Sequence, residues 1–314
     1  VYASQNRWLL TEVLREEWGF AGAVVSDWGA VDDRVAALEA GLDLQMPGDH
    51  GAGNALVVDA VRSGRLEEAV VDRSVRRVAA LAGYVGEPTD GFDADAHHAL
   101  ARELATGGAV LLKNDGGALP LAAGQRIAVV GEFARRPRYQ GGGSSRVNAT
   151  RVDDALTALR ATPPDLAFAP GFTLDGAGDA AALRDEAVDL ARDAGVTVVF
   201  AGLGEGDESE GFDRTHIDLP AAQVELIRAV AAVSRRTVVV LSSGGVVSLE
   251  GWHDDVDAVL AGFLLGQAGG SALAGLLTGA ADPSGRLTET IPLRLADTPS
   301  FLDFPGEQGH VRYG

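Results

Sequence analysis

The chain has 314 residues, 46% of them hydrophobic, and sets 26 Lys and Arg against 45 Asp and Glu for a formal charge of −19. That length can bury a full core and suggests about two domains, while so acidic a field repels phosphate backbones and anionic lipid, so neither nucleic acid nor a membrane is an expected partner. There is no cysteine, which excludes disulfides and thiolate catalysis, and the six histidines lack ligand spacing, so no metal and no cofactor are expected.

In chain order, Trp8, Leu9, Val13, Leu14 and Trp18 recur at helical spacing from Ser4 to Trp18, and Gly19 stops the pattern. Residues 23–26 read as a short apolar strand, 32–40 as a helix ending at Gly41, and Leu42 to Met46 as another strand. Helix, strand, helix, strand is the alternation of an α/β barrel. Residues 66–83 carry a helical apolar face, and the stretch from Gly86 to Gly91 reads as a linker. A second rhythm follows. A helix at 95–110 leads into a strand through Lys113 and Asn114. Further strands are expected at 127–131, 165–169, 196–201, 237–242 and 256–261, separated by helical patterns near 151–161, 179–194, 220–234 and 269–279. Continuous apolar strands alternating with helices predict a mainly parallel sheet covered on both faces. No apolar run reaches the roughly 18 residues of a membrane span and no signal segment opens the chain. It opens on Val1, which leaves the compartment open, cytoplasmic or secreted.

Two acidic motifs carry the chemistry: Gly-Ala-Val-Val-Ser-Asp-Trp at 22–28 and Glu-Ser-Glu-Gly-Phe-Asp-Arg at 208–214. The first sets Asp27 at the end of an apolar strand, and the second sets carboxylates in a Gly-rich loop. Cleavage of a sugar acetal through an oxocarbenium-like transition state needs two carboxyl groups in different protonation states, and each motif can supply one. Without further context, an Asp after a strand is commonly a cap or turn residue.

With Ser4-Gln5-Asn6, Gly19-Phe20-Ala21-Gly22, Ser26-Asp27-Trp28, Ala40 to Leu44, Leu111 to Asn114, Gln140 to Ser144, Glu210 to Arg214 and Pro283 to Leu287 in this order, the chain resembles glycoside hydrolase family 3, the β-glucosidase and β-xylosidase group. The resemblance implies α/β architecture: the C-terminal part of a (β/α)8-type barrel over residues 1–85, a linker at 86–95, an α/β sandwich domain over 96–295, and at 296–314 the lead into a fibronectin-like domain that is absent. A whole barrel needs about 250 residues, so a fragment is expected, lacking the barrel strands that hold sugar hydroxyls and weakly active or inactive alone. Exposed barrel elements at Trp8, Leu9, Val24 and Val25 would then favour self-association.

The resemblance also implies that Asp27 is the nucleophile and that the acid/base residue lies among Glu205, Asp207, Glu208, Glu210 and Asp213. Glu210 matches the family motif and Glu208 is the reserve. A general acid must keep its proton near neutral pH, which calls for a raised pKa. A retaining enzyme would set the two carboxyl groups about 5 to 5.5 Å apart. Trp28 would wall the sugar ring. Ser144 and Ser145 are candidates for the substrate rim, and Lys113 and Asn114 for structural roles near it. Asp213 and Arg214 are expected to form an ion pair that shapes the loop. The Gly141-Gly142-Gly143 run has no dinucleotide or phosphate-loop signature. The function implied is an exo-acting, retaining β-glucosidase acting on a β-glucoside or oligosaccharide. A β-xylosidase or other family specificity is one alternative, and a noncatalytic sugar-binding or subunit-interaction fragment is another.

Overall fold

The computed structural model describes residues 2–84, 86, 91–161 and 165–312. The chain divides into two units, Val1–Gly91 and Phe92–Gly314. Most of the linker expected from Gly86 to Gly91, Glu87 to Asp90, lies outside the described residues.

In the first unit the helix expected from Ser4 to Trp18 is split. A single tight turn at Ala3–Gln5 is followed by Asn6, whose side chain accepts from Leu9 N–H at 3.1 Å, and a wide-turned helix then runs over Trp8–Glu17. The strands expected at 23–26 and 42–46 shrink to one parallel bridge, Val25 to Leu44, supported by Ser26 N–H on Leu44 O at 2.9 Å. Helix α1 (Arg34–Ala40) begins at Asp33, whose carboxylate accepts from Val35 and Ala36 N–H, and ends at Gly41 with φ 116°. Helix α2 (Ala52–Arg62) was not legible, because the glycine-rich start His50-Gly51-Ala52-Gly53 hides the apolar face of Leu38-facing Ala60 and its neighbours. Asp49 secures that start by accepting from Gly53 N–H at 2.6 Å. Helix α3 (Glu68–Ala82) occupies the stretch expected to be helical. Trp8 (61%), Leu9 (37%) and Val25 (44%) are exposed as expected. Val24 is not: it is half-buried against the cluster of Leu10, Ala37 and Leu42.

Among the described residues, the second unit opens with α4 (Ala94–Gly108) and holds six strands: β1 (Val110–Asn114), β2 (Ile127–Val130), β3 (Leu166–Ala169), β4 (Val196–Gly202), β5 (Thr237–Ser242) and β6 (Ala258–Ala261). Their order is β1-β6-β5-β4-β2-β3, all parallel except β1, which runs antiparallel on β6. The helices are α5 (Ala155–Arg160), α6 (Ala180–Arg192), α7 (Ala221–Ala231) and α8 (Gly269–Thr278). One layer is α4 and α5 packed on α8, and the other is α6 packed on α7. Strands β4 and β5 are buried along their whole length, which is why they read as unbroken apolar runs.

The strand order places the crevice. After β2 the chain steps outward to β3 and then returns across β2 to β4, so the connections leaving β2 and β4 part in opposite directions. Ligands of open parallel sheets bind outside the carboxyl ends of the strands at such a point. Gly131, directly after β2, lets the backbones come this close: at φ 108°, a Cβ there would lie 2.1 Å from Phe200 O of β4.

Candidate active site

Asp27 stands on the exposed loop that leaves the Val25–Leu44 bridge. Its position is set by Ser26, which is buried and whose hydroxyl accepts from Met46 N–H at 2.8 Å and donates to Met46 O at 3.3 Å. One Asp27 oxygen, Oδ1, accepts from Trp28 N–H at 2.7 Å. Among the described residues no donor engages Oδ2, so one oxygen of an oriented carboxylate faces open solvent. Trp28 beside it is 65% exposed, a free aromatic face.

Beneath this loop lies a residue whose role the sequence did not reveal. Asp43 is buried, and its carboxylate takes Arg15 Nη2 at 2.7 Å, Arg77 Nη1 at 3.2 Å and Val24 N–H at 2.9 Å. Its carbonyl accepts from Arg34 Nη2 at 3.1 Å and Ser74 Oγ at 3.0 Å. Arg15 also reaches Gly22 O at 3.0 Å, so this one aspartate joins the first helix, α1 and α3 to the start of the loop that carries Asp27. An acidic residue inside the apolar run Leu42 to Met46 was the available signal.

In the second unit the acidic loop leaves β4 and the Gly-rich loop leaves β2, on the two sides of the switch point. They meet. Ser144 N–H donates to Glu210 Oε2 across a sequence separation of 66 residues. Gly143, at φ 71°, makes this contact possible, because a Cβ there would lie 2.5 Å from Glu210 Cβ. The Ser144 hydroxyl and then the Ser144 N–H hold the exposed Glu210 carboxyl below the ordinary glutamate value. This runs against the expectation of a raised pKa: in this loop geometry the Ser144 donors favour the ionised form.

Glu208, the reserve, is occupied otherwise. Its side chain is 12% exposed, Oε1 accepts from Gly244 N–H and lies 3.8 Å from Arg138 Nη2, and Oε2 accepts from Gly245 N–H at 2.9 Å. Two backbone donors fix it as an anchor between the loops after β4 and β5. The expected Asp213–Arg214 ion pair does not form. Arg214 instead donates to Val246 O at 2.7 Å. Ser145 donates to its own loop at Gly142 O. Lys113 reaches His253 O at 2.9 Å and Asp115, and the Asn114 amide clamps Leu119 through both its N–H and C=O. Both side chains hold the β1 end in shape.

The loops after β2, β3 and β4 enclose a cleft of about 870 Å³ that runs from Phe133 and Arg138 to Phe172 and Gly204. Among the described residues no group of three or more His, Asp or Glu is placed to hold a metal ion, and no helix is long and apolar enough to cross a membrane.

The family model for the glycosyl hydrolase family 3 C-terminal domain matches residues 109–313, and that for its N-terminal domain matches residues 2–81. The chain belongs to glycoside hydrolase family 3. It is 46% identical over its full length to an exo-alpha-(1->6)-L-arabinopyranosidase of Bifidobacterium breve, covering 43% of that protein. It is 47% identical over 99% of its length to thermostable beta-glucosidase B of Acetivibrio thermocellus, covering 42% of it. Its fold superposes on the crystal structure of a family 3 beta-glucosidase from Bifidobacterium adolescentis with TM-score 0.92 and 48% identity, over the whole of this chain and 47% of the other. The chain thus spans less than half the length of these family 3 relatives.

Proposed function

We propose that this chain carries the nucleophile and the acid/base residue of a retaining, exo-acting β-glycosidase. Asp27 would attack the anomeric carbon while Glu210 protonates the departing glycosidic oxygen. The C–O bond breaks and a glycosyl ester forms on Asp27. Glu210, now a carboxylate, would take a proton from water, and that water would displace Asp27 and release the sugar with its configuration kept. The observation that carries the proposal is the Asp27 carboxylate, oriented through one oxygen on a strand-end loop and open at the other, in a family whose named relatives are glycosidases. Glu210 is preferred over Glu208 because both oxygens of Glu208 are bound to backbone N–H groups.

For Glu210 the acid step requires release from Ser144, so substrate must part the two loops or supply its own hydrogen bond. Turnover by this stretch of chain alone is proposed to be weak, with residues 1–85 acting as barrel elements and 96–295 as the sandwich domain. The substrate is a β-glucoside, as the name of the Acetivibrio relative suggests. A second specificity, α-L-arabinopyranoside, is favoured by the 46% identity to the Bifidobacterium breve enzyme. A panel of 4-nitrophenyl glycosides followed by proton NMR of the first-formed anomer tests both points. Release of the retained anomer supports double displacement, and release of the inverted anomer would refute it.

A further inference from the structure

We propose that Arg138 is the positioning residue of the acid/base loop, a three-point bracket that holds the loops after β2 and β4 in register so that Ser144 and Glu210 meet. This rests on Glu210 as the acid/base residue. The Arg138 side chain is 6% exposed. Its Nε–H donates to Gln140 O at 2.9 Å, Nη1–H to Leu203 O at 3.1 Å and Nη2–H to Glu208 O at 3.3 Å. Gln140 leads into the Gly-rich loop. Leu203 opens the acidic loop, and Glu208 stands just ahead of Glu210. One rigid planar group therefore grips both loops ahead of the place where they touch.

A guanidinium suits this task because its five donors point in fixed directions, while an ammonium is a point charge on a flexible stem. A lysine cannot span three carbonyls set around a fork. Arg138 has a second effect through charge. Its Nη2 lies 3.8 Å from Glu208 Oε1, and Glu208 is the anchor whose oxygens hold Gly244 and Gly245. Without the guanidinium, the largely buried Glu208 carboxylate would lose the cation 3.8 Å from it, two residues from Glu210. Loss of register loosens the hydrogen bonds from Ser144, and the less compensated Glu208 repels a second negative charge. Both changes disfavour the Glu210 carboxylate.

Nitrogen-15 NMR of the full chain provides the test, because the Ser144 amide donates to Glu210 and its shift reports the ionisation of that group. In the wild type the Ser144 amide should titrate below the ordinary glutamate range, and Glu210→Gln should abolish the transition. Arg138→Met should move the midpoint upward and Arg138→Lys should move it part of the way. On a glycoside with a poor leaving group, Arg138→Met should lower kcat about 100-fold with little change in KM, as expected when a catalytic group is misplaced rather than removed. Should Arg138→Met fail to fold by circular dichroism, Arg138→Lys decides the matter. A folded Arg138→Lys chain with the wild-type Ser144 midpoint overturns the bracket. If Glu210→Gln abolishes the titration yet leaves turnover unchanged, the acid/base role fails while the bracket stands. If Glu210→Gln cuts turnover and the Arg138 variants move neither midpoint nor kcat, the bracket fails and the acid/base role stands.

Discussion

The two candidate carboxylates are held by opposite strategies. Asp27 is framed from nearby: Ser26 next to it is bonded to Met46, Trp28 next to it supplies the N–H, and Asp43 secures the loop start through Val24 and Arg15. Glu210 is framed from far away, by Ser144 on a different loop that only the sheet order brings near. A neighbour-framed carboxylate keeps its orientation when distant parts of the chain move. A carboxylate framed by a loop contact gains proton affinity when that contact opens, which suits a group that must be acid in one step and base in the next.

The largest effects should come from removing the frame of the first unit. Asp43→Ala leaves Arg15 and Arg77 buried or half-buried without their partner, and loss of such a partner costs about 3 to 5 kcal/mol. Chemical denaturation should show the first unit melting well before the second, and a single unchanged transition would break the comparison. Next, Glu210→Ala should slow hydrolysis of substrates with poor leaving groups by about 10² to 10⁴-fold. It should do so far less for activated aryl glycosides, with azide restoring the rate; equal losses for both substrates would remove Glu210 from the acid role. Ser26→Ala takes away a buried hydroxyl with two bonds to Met46 and should cost about 1 to 3 kcal/mol in the first unit. Its thermal unfolding would contradict local framing if it were unaltered.

The smallest predicted effect concerns pH. Burial pushes the Asp153 carboxyl up, but hydrogen bonds from Ser271 and His98 and the charges of His98 and Arg151 outweigh it and hold the group below the ordinary aspartate value. A depressed carboxyl stabilises the fold above its unfolded pKa, and that contribution is lost as pH falls through the folded value. Asp153→Asn should therefore flatten the acid side of the stability curve of the second unit, while leaving its neutral-pH side lower by a constant amount. An acid limb as steep as that of the wild type would exclude Asp153 as its source.

The same contrast explains what could be read in the sequence. Strands β2, β4 and β5 were legible because continuous Val-rich runs buried on both faces leave an unmistakable pattern. The local frame of Asp27 was legible because Ser26 and Trp28 adjoin it in the sequence. The contact between Ser144 and Glu210 was not, although each residue had been singled out, because the switch point that joins their loops is a property of strand order. Arg138 and Asp43 were missed for the same reason: most of their partners are carbonyls and arginines distant along the chain, and the third arginine of Arg135-Arg136-Pro137-Arg138 looks like its neighbours in the sequence. The Asp213–Arg214 pair was misjudged because sequence adjacency was taken for spatial pairing.

The most direct test is covalent trapping. The folded chain, and any longer form of the protein, would be incubated with an activated 2-deoxy-2-fluoro-β-glucoside, and the labelled peptide located by mass spectrometry. A glycosyl adduct on Asp27, absent in Asp27→Asn, is the predicted result. An adduct on a different carboxylate would contradict the assignment of Asp27 as the nucleophile.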